Sequence, residues 1–121
     1  MNDDQSLVLQ MLNERRPIMA LLDVLGQKWT LRILWELQNG SLSSRALRSV
    51  CGDISPTVLQ SRVNELRGAG FIKSDDGGYG LTPLGRELSD SFLPLYRFAD
   101  TWADSLSKDK VDSRRHTASE L

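Results

Sequence analysis

Cysteine and histidine are almost missing: one of each in 121 residues. A single cysteine, Cys51, excludes an intrachain disulfide and any cysteine-rich metal cage. The single histidine, His116, lies in a polar stretch near the C-terminus. With one thiol and one imidazole, neither a His/Cys metal set nor a Ser-His-Asp triad is expected. There is no glycine-rich phosphate loop and no pair of carboxylates in a catalytic motif. No run approaches the roughly 18 apolar residues of a membrane span. Asp3 and Asp4 stand where a secretory signal would carry positive charge. These absences lead to the expectation of a soluble, cytoplasmic protein with no enzymatic chemistry, no metal, no cofactor and no membrane partner.

What is present suffices for a real core, since 40% of the residues are hydrophobic. The length allows one domain. It is expected over residues 1–107, with a polar, flexible tail over 108–121. The net charge of −1 hides a strong segregation. Residues 1–27 carry two positive and four negative charges. Residues 28–73 carry seven positive (Lys28, Arg32, Arg45, Arg48, Arg62, Arg67, Lys73) against three negative, a net +4. Residues 74–107 carry two against six, a net −4, and the last 14 carry four against three. Regional charge governs association more than the sum does, so the basic middle is where a polyanion would be met.

Periodicity and capping signals divide the chain into short helices. Residues 6–14 place Leu7 with Met11 and Val8 with Leu12 at i,i+4, with apolar groups on more than one side. Pro17 suits a first helical position and opens a helix over Ile18–Leu25, stopped at Gly26. Lys28–Asn39 reads as a third helix through Leu31, Leu34, Trp35 and Leu37. Ser43 or Ser44 caps a fourth, Arg45–Val50, whose inward side is Ala46, Leu47 and Val50. Ser55-Pro56 starts a fifth that runs to about Arg67 and stops at Gly68-Ala69-Gly70. Phe71–Asp75 and Gly78–Leu81 look like strands joined by Asp76-Gly77, a good two-residue hairpin turn. Thr82-Pro83 repeats the cap-and-proline signal. The last helix carries an apolar seam through Leu84, Leu88, Phe92, Leu95, Ala99, Trp102 and Leu106, with a bend expected at Pro94.

Two short helices, a tight turn, a third helix and a hairpin make a helix-turn-helix with a wing. The fold class expected is mainly α with a small β-hairpin wing. An α-helix fits the major groove of B-DNA, about 12 Å wide, while the preceding helix crosses the backbone. Residues 56–67 are the candidate recognition helix. Leu59, Val63 and Leu66 share one face and anchor it. The opposite face offers Thr57, Gln60, Ser61 and Asn64, short polar groups suited to base readout. Gln60 and Asn64 match an adenine edge, and Val58 could meet a thymine methyl. Ser43, Ser44, Arg45, Arg48, Arg62, Arg67 and Lys73 are the candidate phosphate contacts.

Three stretches carry a family resemblance. They are Pro17-Ile18-Met19-Ala20-Leu21-Leu22-Asp23-Val24-Leu25-Gly26-Gln27-Lys28-Trp29-Thr30; Gly52-Asp53-Ile54-Ser55-Pro56-Thr57-Val58-Leu59 with Arg62-Val63-Asn64-Glu65-Leu66 and Gly70-Phe71-Ile72; and Tyr79-Gly80-Leu81-Thr82-Pro83-Leu84-Gly85-Arg86. Over residues 17–104 the chain resembles the HxlR-type winged-helix transcriptional regulators. The resemblance implies a homodimer on double-stranded DNA, built by the first and last helices, with two recognition helices in successive major grooves. The sequence departs from that family in three respects, one being that several solvent-face positions are uncharged, so its operator need not match any relative's. Members often carry a cysteine before the proline of the second helix, where this chain has Arg16, so thiol sensing there is excluded. The wing tip carries Asp75 and Asp76 where relatives tend to be basic, which repels phosphate and leaves Lys73 as the wing's contact.

The remaining residues have plainer readings. Leu7, Val8, Leu9, Met11, Leu12, Leu93 and Tyr96 are the expected dimer interface, because a domain this small cannot cover both terminal helices by itself. Phe92, Tyr96, Phe98 and Trp102 are a candidate pocket for a small-molecule effector, although aromatics at helical spacing are more often packing. Cys51 reads as a small buried hydrophobe rather than a redox sensor. Trp29 and Trp35 read as core. The alternative to a DNA-binding regulator is a winged-helix protein-interaction module with weak or no DNA binding, favoured by the acidic wing and the net charge.

Overall fold

Prolines and hydroxyl caps set where most of the helices begin. The structure, a computed structural model, describes residues 3–14 and 16–120, with side chains described for 5–10, 13 and 16–108. The elements are α1 (Asp3–Glu14), α2 (Pro17–Leu25), α3 (Thr30–Glu36), β1 (Leu42–Ser43), α4 (Ser44–Cys51), α5 (Pro56–Gly68), β2 (Ile72–Asp75), β3 (Gly78–Leu81), α6 (Pro83–Ser91) and α7 (Leu93–Glu120). Residues up to Ser89 make one compact unit, and those from Asp90 a second. The three strands form an antiparallel sheet in the order β1-β3-β2.

The capping expectations hold at three helices. Ser43 Oγ accepts the Ala46 N–H at 3.0 Å and Ser55 Oγ that of Val58 at 3.1 Å, each satisfying an orphan donor of the first turn. Thr82 Oγ1 accepts the Gly85 N–H at 2.9 Å and donates to the Gly70 carbonyl at 2.6 Å, tying the start of α6 to the end of α5. The hairpin turns at Asp76-Gly77, where Gly77 has φ 80° and Asp75 faces Gly78.

In the first unit, Ile33, Leu34 and Leu37, with Leu47 of α4 and Leu59, Val63 and Leu66 of α5, are core residues, each at most 2% exposed. Ala20, Val24 and Leu25 of α2, with Ile54 and Ile72, complete it. Helix α1 lies along α5 and touches α2.

Several expectations change. Helix α3 begins at Thr30 rather than Lys28, because Trp29 takes φ 79°, in the left-handed region that bulky residues seldom enter and that no helix continues through. It ends at Glu36, and Arg86 donates to the freed Gln38 carbonyl at 2.6 Å. Trp35 is 38% exposed, not core, since Ile33, Leu34 and Leu37 already fill the inward side. On α4 the inward positions are Leu47 and Cys51, four apart, which turns Val50 out to 39% exposure. Strand β1 was not expected; its two residues pair with Tyr79 and Gly78 along the edge of β3.

The last helix is two helices. Pro94 has no N–H for the carbonyl of Asp90 and its ring crowds that carbonyl, so α6 stops at Ser91. As the second residue of α7, proline gives up only an N–H that has no intrahelical acceptor. The Tyr96 N–H donates to the Phe92 carbonyl at 2.9 Å to start the new helix. The backbone of α7 is helical through to Glu120, taking in the stretch read as a polar tail, which contains no proline or glycine to stop it. The side chains of Met11, Leu12 and His116 lie outside the described residues.

Candidate nucleic-acid interface

Helices α4 and α5, joined over residues 52–55, form the helix-turn-helix unit, with Gly52 at φ 79° turning the chain. One side of α5 is sunk in the core, as described. The other presents Thr57, Gln60 and Ser61 to solvent, with Asn64 and Val58 half-buried. The proposed base-reading residues therefore share one accessible face of one helix, and the buried face holds that helix in place.

Two of those residues are already engaged. Gln60 Nε2 donates to Asn64 Oδ1 at 2.8 Å. Arg67 Nη2 donates to the same oxygen at 3.0 Å, and its Nη1 donates to Ser74 Oγ on β2 at 2.6 Å. From β3, the Tyr79 hydroxyl donates to Gln60 Oε1 at 3.4 Å. Ser74 and Tyr79 face each other across the hairpin, so both project from one face of the wing onto α5. Sequence reasoning missed both. The two-residue turn at Asp76-Gly77 fixes the pairing of residues 74 and 79, so the signal was available.

The basic band divides in the same way. Arg45 and Arg48 on α4 and Lys73 on β2 are exposed. Arg62, by contrast, is only 21% exposed; its Nε donates to the Lys28 carbonyl at 2.9 Å, fastening α5 to the turn before α3. Arg32 does similar work, donating to the Val50 carbonyl at the end of α4 and to Glu36, both at 2.8 Å. The Lys28 ammonium sits 5.5 Å from the Trp29 ring centre, a cation–π contact. Ser43 and Ser44 stand at the start of α4, with the Ser43 lone pair already on Ala46.

Residues 24–107 match the HxlR-like helix-turn-helix family. The chain belongs to that family. It is a DNA-binding transcriptional regulator of the winged helix-turn-helix kind. An uncharacterised helix-turn-helix regulator of Methanocaldococcus jannaschii is 28% identical over 92 residues, covering 72% of this chain and 86% of the relative. Among solved structures, an HxlR-family transcriptional factor from Thermoplasma volcanium is 29% identical with a TM-score of 0.65, covering 74% of this chain and 87% of that one. A MarR-family regulator from Enterococcus faecalis is 26% identical with a TM-score of 0.68, covering 75% and 89%.

In this HxlR-like chain Arg16, just before the proline that opens α2, is exposed at the N-cap of that helix. Cys51 is buried at the end of α4, and its thiol pKa is raised by burial and by the nearby Glu36 carboxylate, against a smaller opposing pull from Arg32. That environment suppresses the reactive thiolate. Phe92, in the break between α6 and α7, meets Tyr96 of α7 in a tilted pair, 6.4 Å between ring centres, and burial raises the Tyr96 pKa. Phe98 and Trp102 are mostly exposed. A shallow concavity of about 510 Å³ lies elsewhere, along the turn from Leu25 to Arg32. Among the described residues no helix is long and apolar enough to cross a membrane.

Proposed function

We propose that this regulator acts in the cytoplasm as a homodimer on a pseudo-palindromic operator, inserting the N-terminal half of α5 into the major groove of each half-site. Thr57, Gln60, Ser61 and Asn64 face the bases. Ser43, Ser44, Arg45, Arg48 and Lys73 meet phosphates, whereas Arg62 fastens the reading helix to the body. No enzymatic step belongs to this function. The observation that carries the reading is the polarity of α5: an exposed row of small hydrogen-bonding side chains backed by Leu59, Val63 and Leu66, each at most 2% exposed. Side chains of this kind read base edges, and such rigid backing holds them to the register that readout needs.

The acidic wing tip, Asp75 and Asp76, favours a second reading, a winged helix used for protein contacts with little DNA affinity. A gel-shift assay on the DNA flanking its own gene separates the two. DNA readout gives a retarded band that unlabelled copies of that DNA compete away and unrelated duplex does not. Equal competition by both duplexes, or no retardation, favours the protein-contact reading.

A further inference from the structure

We infer that Arg67 governs base preference without touching a base, by fixing the polarity of a hydrogen-bond relay that decides what Gln60 and Asn64 can offer to DNA. This deepens the base-reading role proposed for α5 and rests on it.

A guanidinium donates and cannot accept. Because Arg67 Nη2 donates to Asn64 at 3.0 Å, the side-chain atom it meets has to be the carbonyl oxygen, Oδ1. Gln60 approaches the same oxygen at 2.8 Å, so it has to present its amide nitrogen. The Gln60 oxygen is thereby turned the other way, toward the Tyr79 hydroxyl, which donates to it. One donor-only group sets the orientation of two amides that could otherwise flip end for end. Arg67 is held for this task by its 2.6 Å bond to Ser74, on the face of the wing that also supplies Tyr79.

The relay leaves the two amides unequal. Asn64 Oδ1 accepts two hydrogen bonds, which fills its lone pairs, so Asn64 has only N–H donors left for DNA. Gln60 keeps one N–H and one lone pair. An adenine edge in the major groove presents one acceptor and one donor, N7 and N6–H, and reading both takes a free donor and a free acceptor on one amide. Gln60 meets that requirement and Asn64 does not. Asn64 is confined to edges that accept, such as guanine N7 and O6 or thymine O4. Arg67 is therefore a positioning residue for specificity, in contrast to the phosphate role its charge suggests.

The test is selection from random duplex DNA with the full chain, wild type beside Arg67→Met, followed by the salt dependence of binding to the wild-type sequence. Met keeps the length of the stem and removes the donors. The expected result is that Arg67→Met relaxes or changes the preferred base at the positions that Gln60→Ala and Asn64→Ala also affect, by roughly tenfold. Ser74→Ala, which frees Arg67 without altering α5, is expected to move the same positions in the same direction. An Arg67→Met motif identical to that of wild type overturns the inference. If the salt slope then also falls by about two per dimer, Arg67 is a phosphate contact. Failure of the wild type to enrich any motif instead removes the base-reading role of α5 itself, and with it the inference.

Discussion

Gln60 and Asn64 look interchangeable in the sequence, two amides one helical turn apart, and only the side chains around them make them different. The same holds for the seven cations of residues 28–73. Their clustering was legible from charge alone, but their tasks were not, because a guanidinium that grips a carbonyl and one that waits for a phosphate are the same letter. Gln60→Ala is expected to relax one position per half-site by roughly 10- to 100-fold, read by competition among operator variants. Alanine at Arg45, Arg48 or Lys73 is expected to weaken all sequences alike and to lower the salt slope by about one per contact, hence about two per dimer. Arg62→Ala is expected to behave differently. Losing its bond to the Lys28 carbonyl should cost about 1 kcal/mol in a denaturant titration, with the salt slope nearly unchanged. A fall in slope matching that of Arg45→Ala would return Arg62 to the phosphate contacts.

Elements with local signals were legible, and elements defined by distant neighbours were not. Ser55-Pro56, Thr82-Pro83 and Asp76-Gly77 each announce a boundary through their own chemistry, and the structure keeps all three. Strand β1 exists only because β3 offers it an edge, and two residues carry no periodicity of their own. The early start read for α3 failed at a single left-handed residue, Trp29, which composition cannot reveal. The join between wing and α6 depends on Gly85. A Cβ there would run into the Phe71 carbonyl, a backbone atom that cannot swing aside. Gly85→Ala is accordingly expected to destabilise the fold by about 1–3 kcal/mol, visible as a lower urea midpoint with an unchanged slope. An unaltered midpoint would mean that α6 shifts away from Phe71 freely.

For the molecule as a whole, the exposed apolar side chains are the feature a single chain leaves unexplained. Leu7 and Leu9 on α1 are exposed, and so are Leu93, Leu95, Phe98, Trp102 and Leu106 on α7. Val8 is half-buried within the chain itself. These exposed side chains are what the homodimer proposed here would cover. Sedimentation at micromolar concentration is expected to give a dimer for the wild type. Leu9→Asp combined with Leu93→Asp is expected to give folded monomers that no longer hold operator DNA; a wild-type monomer would contradict the assembly proposed. The central claim is that two α5 helices related by a two-fold axis read successive major grooves. Selection from random duplex DNA with the wild-type chain tests it most directly. The expected result is a pseudo-palindrome with half-sites about 10 base pairs apart, or a multiple of that spacing. An enriched motif without two-fold symmetry, or no enrichment at all, would contradict it.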